Sequence, residues 1–145
     1  MSLKKMVTIT RRHIDPSLVL ASVAVDSAGG AVLFVGTIRE KSGGRPVKGL
    51  AYEVYKQMAV KRMREIEAEV RRRWPVKRMA MSHRYGQLKV GEVSVAVAVS
   101  CEHRAEAFEA CRYAIDMIKR TLPMWKKESF GNGTEKWVKG SPIEG

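Results

Sequence analysis

The chemistry open to this chain is that of basic side chains. Arg39 closes an apolar run, His103 and Arg104 stand side by side, and Lys119, Lys126 and Lys127 cluster toward the chain's end. An arginine offers a planar fork that fits phosphate or carboxylate. A lysine crowded by like charges holds its proton less tightly and can then act as base or nucleophile near neutral pH. Together they suit an anionic substrate. Each also has an ordinary reading: His103–Arg104 as a solvated pair, Lys119 as a helix-end cation favoured by the helix dipole. Trp125 and Phe130 could stack on a heterocycle or serve a core or interface, and their pattern leaves both open.

Other chemistries find no support. There is no Gly-x-x-x-x-Gly-Lys loop, no Gly-x-Gly-x-x-Gly and no Gly-x-Ser-x-Gly elbow. His13, His83 and His103 are not spaced as a metal cluster, and the two cysteines, Cys101 and Cys111, cannot complete a four-ligand site. The expectation is no metal and no bound cofactor. Cys111 falls on an apolar helical stripe and reads as a buried thiol, whereas Cys101 could be reactive. So few cysteines fit a reducing cytoplasm.

The elements that must position these groups are legible. Met6–Thr10 alternates and reads as a strand. Asp15-Pro16 reads as an N-cap and first helical residue, with a short helix to about Val25. Ala31–Ile38 reads as a buried strand in which Gly36 marks a bulge or close approach. Arg39–Pro46, with Ser42-Gly43-Gly44, reads as a polar loop, and Val47–Tyr55 as the next strand. Ala59, Met63, Ile66, Val70 and Trp74 predict a long helix over Met58–Trp74, ended by Pro75. Arg78–Tyr85, Gln87–Val90 and Val93–Ser100 read as strands. Phe108, Cys111, Ile115, Ile118 and Leu122 predict a second long helix, Arg104–Thr121, ended by Pro123. The tail with Trp125, Phe130 and Trp137 reads as a closing hairpin. On this reading Arg39 follows a strand, His103–Arg104 opens the second long helix, where backbone N–H groups favour anions, and Lys119 lies near that helix's end.

Strands and helices mix without a strict βαβ rhythm, and there is no repeat or linker, so residues 1–145 read as one α+β domain. With 45% hydrophobic residues among 145, a real core is expected and general disorder is not. Lys and Arg total 27 against 15 Asp and Glu, a net charge of +12. Such a field attracts nucleic acid, phosphorylated small molecules or an acidic protein. The basic start, Met1–Lys5, leads into alternation rather than a signal-peptide core, and no apolar run approaches a membrane span, so a soluble cytoplasmic protein is expected.

Five segments in order carry a resemblance: Gly30–Arg39, Leu50–Tyr55, His83–Leu88 with Gly91-Glu92, Ser100–Ala110 and Pro123–Glu128. The chain resembles the large, catalytic subunit of molybdopterin synthase over roughly Gly29 to Val138. The resemblance implies an α/β-hammerhead fold of the α+β class, with mixed and antiparallel sheet and two long helices. It implies transfer of sulfur to cyclic pyranopterin monophosphate, forming the dithiolene of molybdopterin for molybdenum cofactor biosynthesis. The donor would be a thiocarboxylate on the C-terminal glycine of a small ubiquitin-like subunit, and two large subunits would form the central dimer of a heterotetramer. Lys119 and Lys126 would be the catalytic lysines. Arg39, His103 and Arg104 would hold the phosphate, with Thr37, Ile38, Lys127 and Glu128 lining the same pocket. Some members of the family place an arginine shortly after the last tryptophan, reaching into the neighbouring subunit; here Lys139 follows Trp137 and lacks the guanidinium fork. The alternatives are a basic nucleic-acid-binding domain and a non-catalytic docking scaffold.

Overall fold

The computed structural model describes residues 6–130, 133 and 135–139, the last four by backbone alone. The basic start, Met1–Lys5, and the side chains of Trp137 and Lys139 thus lie outside the described residues. The most apolar strand, β7 (Val93–Cys101), is buried along nearly its whole length at the interior of a four-stranded sheet. Its neighbours are β2 (Gly30–Thr37) and β5 (Val76–Arg84), both antiparallel to it. Strand β1 (Val7–Thr10) adds in parallel to β5, so β1 and β2 form the edges. Alternation gives β7 two apolar faces. Val95, Val97 and Val99 belong to the main core, while Ala98 joins Ala80 and Val23 in a smaller cluster with Val19 and Leu33.

That smaller cluster lies under α1 (Pro16–Ser22), whose start is capped by Asp15 accepting from the Ser17 N–H at 2.9 Å. The helix ends at Ser22 rather than near Val25, because Val23 turns inward and is fully buried. The larger core lies under α2 (Lys56–Arg73) and α3 (Arg104–Thr121). In α2 the buried residues are Ala59, Met63, Ile66 and Val70, the stripe read from the sequence. In α3 the stripe differs. Ala107, Ala110, Cys111, Ala114, Ile115 and Ile118 are buried, whereas Phe108 is 61% exposed. Alanines let the helix lie close on the sheet, and the large ring is left outside.

The second sheet is built on β4 (Arg45–Val54), ten residues long. One side of β4 pairs with β8 (Met124–Phe130), which pairs in turn with β9 (Glu135–Lys139) as the expected closing hairpin. Strands β3 (Lys41–Ser42) and β6 (Gly86–Lys89) also pair with β4. The stretch Arg39–Pro46 is therefore a tight hairpin rather than a plain loop. Gly43 and Gly44 at its tip have φ of +58° and +79°, a left-handed pair that favours glycine. Arg84, buried at 8% exposure, ties the corner: it donates from Nε to the Arg11 carbonyl at 3.1 Å and pairs with Glu92 at 3.4 Å. Among the described residues no helix is long and apolar enough to cross a membrane.

Candidate active site

Three element ends converge on one open cavity of about 470 Å³. The end of β2 and the segment after it bring Phe34, Thr37, Ile38 and Arg39; the last turn of α3 brings Lys119; β8 brings Lys126 and Glu128. The β2 end is fixed by its backbone. After a register shift between Gly36 and Thr37, the Ile38 N–H donates to the Glu92 carbonyl at 3.0 Å and the Ile38 carbonyl accepts from the Gly91 N–H at 2.8 Å. Ile38 is thereby buried and Arg39 is held at the rim. Alternation along β8 sends Lys126 and Glu128 to the cavity side, beside Tyr52 and Leu50, their register partners on β4. The β3 hairpin adds Lys41 and Ser42 to the wall.

Lys119 is the half-buried centre of this cluster. Burial pushes its pKa down from the usual lysine value, and the charges of Lys126 and Arg39 push it the same way. Behind the cavity, His83 lies edge-on to Tyr52 with ring centroids 5.4 Å apart. One ring nitrogen of His83, Nδ1, is 2.9 Å from the Arg84 carbonyl, which it meets as donor in the neutral tautomer. Burial, with a contribution from Lys119, lowers the His83 pKa to about 4 despite that bond. The imidazole is therefore neutral at physiological pH and adds no cation behind the lysine.

Not every residue singled out in the sequence gathers here. Thr37, Ile38, Arg39, Lys119, Lys126 and Glu128 line the cavity, but Lys127 points to the other face of β8 and pairs with Glu135 at 3.4 Å. His103 and Arg104 are exposed at the opposite end of α3 from Lys119. Lys119 lies fifteen helical positions on from Arg104, about 22 Å at the α-helical rise. Arg104 instead sits against the start of β2, where a Cβ on Gly30 would lie 3.3 Å from the Arg104 Cα. Phe34, Tyr52 and Ile115 also line the cavity. They read as ordinary core residues in the sequence, and only the edge position of β2 and the crossing of β4 explain their place. Cys101 is fully buried, with its thiol pKa raised by burial and by Glu106, which is the setting of an inert thiol rather than a reactive one. Cys111 is pushed up to about 11 by burial.

An α+β fold that brings Arg39, Lys41, Lys119 and Lys126 around a half-open cavity has the charge and shape to hold a small anion. Residues 9–121 match the family model described as MoaE protein. The chain is 47% identical over 119 residues to the molybdopterin synthase catalytic subunit of a Nostoc species, covering 81% of this chain and 72% of that one. The fold matches a crystal structure of molybdopterin synthase from Staphylococcus aureus with a TM-score of 0.87 and 34% identity, covering 92% of this chain and 97% of the other. A complex of subunits 1 and 2 of molybdopterin-converting factor from Helicobacter pylori shares the fold at a TM-score of 0.74 and 20% identity, covering 96% and 92% of the two chains. The chain belongs to the MoaE family.

Proposed function

We propose that this chain is the catalytic subunit of a molybdopterin synthase, and that its cavity receives cyclic pyranopterin monophosphate for sulfur transfer from a small ubiquitin-like carrier. The observation that carries the reading is the half-buried Lys119 facing Arg39 and Lys126 across a cavity open to solvent. Arg39 offers a bidentate fork to the phosphate, and Lys126 offers a point charge. Lys119 and Lys126 are the catalytic lysines: they receive the thiocarboxylate end of the carrier's tail and polarise its carbonyl. The net charge of +12 favours encounter with an acidic carrier and an anionic substrate. The reaction needs no resident metal, and the cytoplasm is its compartment.

A second copy of the chain completes the site. Within one chain His103 and Arg104 are too far from Lys119 to share a ligand. Strand β2 is a sheet edge whose eight residues carry no charge and no proline, with Phe34 exposed on it. Such an edge is a ready surface for pairing. Antiparallel pairing of two β2 edges across a two-fold axis sets the Gly30 end of one copy, with its Arg104, against the Thr37 end and cavity of the other. This geometry supports phosphate contacts from His103 and Arg104 in trans. Mixing inactive Lys119→Ala and Arg104→Ala proteins then restores roughly a quarter of wild-type activity, since half of the dimers carry one intact site. A site contained in one chain restores none.

The test of the reaction itself is reconstitution with the thiocarboxylated carrier and cyclic pyranopterin monophosphate, the dithiolene product being read as its fluorescent oxidation derivative. Product that requires both proteins and is lost in Lys119→Ala supports the reading. A folded protein that docks the carrier yet forms no product makes it a scaffold, and binding of RNA in place of the carrier makes it a nucleic-acid-binding domain.

A further inference from the structure

The place of Arg39 at the cavity rim is set by a turn outside the cavity. Ile38 is buried, and its N–H and carbonyl are both bonded to the turn between β6 and β7, to the Glu92 carbonyl and the Gly91 N–H. Buried backbone groups are costly to leave unpaired, so where the turn goes Ile38 and Arg39 must follow. One side chain closes that turn. The Glu92 N–H donates to the Lys89 carbonyl at 3.0 Å, and Glu92 Oε1 accepts from the Lys89 N–H at 2.6 Å. Its second oxygen, Oε2, lies 3.4 Å from Arg84 Nη1 and 3.3 Å from His13 Nδ1. Arg84 is itself buried and anchored on the Arg11 carbonyl, so the carboxylate ties the turn to the end of β5 and the segment after β1. The Lys89 N–H, and after it Arg84 and His13, hold the Glu92 carboxyl below the usual carboxylate range despite its partial burial. Glu92 faces a separate surface cavity with His13, Lys48 and Arg84, so its reach to Arg39 is through the backbone.

We infer that Glu92 is a positioning residue for the phosphate-holding arginine: its carboxylate braces the Lys89–Glu92 turn against Arg84, and the turn fixes Ile38 and hence Arg39. The inference rests on the proposed function and adds to it a residue outside the substrate cavity. An arginine fork displaced by about 1 Å loses its bidentate fit to a phosphate. Lys119 and Lys126 are carried by α3 and β8 rather than by the end of β2. Loosening the brace therefore costs substrate binding more than it costs the sulfur-transfer step.

The experiment compares the full chain as wild type, Glu92→Ala, Arg39→Ala and the double variant. Calorimetric titration with cyclic pyranopterin monophosphate reads binding, turnover with the thiocarboxylated carrier reads catalysis, and amide hydrogen exchange at Ile38 reads the brace. Glu92→Ala weakens binding about tenfold and raises KM, while kcat stays within about threefold. The double variant binds within about twofold of Arg39→Ala alone, because Glu92 acts only through that arginine. The Ile38 amide exchanges about tenfold faster or more in Glu92→Ala. Unchanged affinity overturns the inference, and so does a loss that multiplies with that of Arg39→Ala or one that falls on kcat. Glu92→Gln keeps an acceptor for the Lys89 N–H but no charge for Arg84, and it carries the test should Glu92→Ala fold poorly: its loss is smaller and again absent in the Arg39→Ala background. Wild-type protein that does not bind the pterin phosphate overturns the functional reading; Ile38 exchange then judges the brace alone, and equal exchange in wild type and Glu92→Ala overturns it.

Discussion

Gly36→Ala tests how the cavity wall is built. Gly36 lies at the bulge where β2 shifts register just before Thr37, Ile38 and Arg39. An ideal Cβ there falls 2.6 Å from Val95 Cγ1, 3.3 Å from Phe34 Cε2 and 3.6 Å from Ser94 Oγ. The first separation is far inside carbon–carbon contact distance. Val95 cannot yield easily, since it is fully buried in β7 and its branched side chain has few rotamers there. The methyl must therefore push the Phe34 ring into the cavity or lift the bulge and carry Arg39 with it. Overpacking of this kind costs about 1–3 kcal/mol, or a fall in melting temperature of roughly 3–10 °C for a domain of this size. Differential scanning calorimetry reads the stability, and titration with the pterin phosphate reads the site. Adding Val95→Ala removes the clashing methyl, so the double variant should recover about 1 kcal/mol relative to additivity. An unchanged melting temperature with additive effects would refute the reasoning, because the bulge would then be loose and the Arg39 position not set by it.

Three further outcomes follow from the same geometry. Lys126→Ala removes a cavity cation and should abolish most turnover, whereas Lys127→Ala, on the other face of β8, should keep activity within about twofold in the same assay because exposed pairs such as Lys127–Glu135 contribute little. The Lys119 pKa is lower in the folded chain than in the unfolded one. The unfolded state therefore binds this proton more tightly, and stability rises as pH climbs from the folded pKa toward the ordinary lysine value of 10.5. Below that window the cost of the buried charge is fully present, so Lys119→Met should melt higher than wild type at neutral pH while being inactive; a lower melting temperature would contradict the burial argument. Ala114→Leu forces a larger side chain between α3 and the sheet, where Ala114 is fully buried, and should destabilise by about 1–3 kcal/mol in urea unfolding.

The long elements were legible because their periodicity is dictated by burial. Ala59, Met63, Ile66 and Val70 form the α2 stripe as read, and Pro75 and Pro123 follow the two long helices. Phe108 shows where periodicity misleads. A large apolar side chain at helical spacing reads as core, yet α3 turns Ala107, Ala110 and Ala114, with Cys111, Ile115 and Ile118, toward the sheet and leaves Phe108 61% exposed. The β3 hairpin was read as a loop because a two-residue strand carries no period, although Gly43-Gly44 is a turn signal. At the site, Arg39, Lys119 and Lys126 were marked by charge at element ends. Phe34, Tyr52 and Ile115 were not, since nothing local separates a cavity wall from a core. The separation of His103–Arg104 from Lys119 follows from helix length alone, and the resemblance, which groups residues without assigning them to one copy, could not reveal it.

The most direct measurement is a crystal structure of the protein with cyclic pyranopterin monophosphate bound. The account predicts phosphate density between Arg39, Lys119 and Lys126, with His103 and Arg104 approaching from a second copy across paired β2 edges. A substrate found away from this cavity, or held there with Lys119 out of contact, would contradict it.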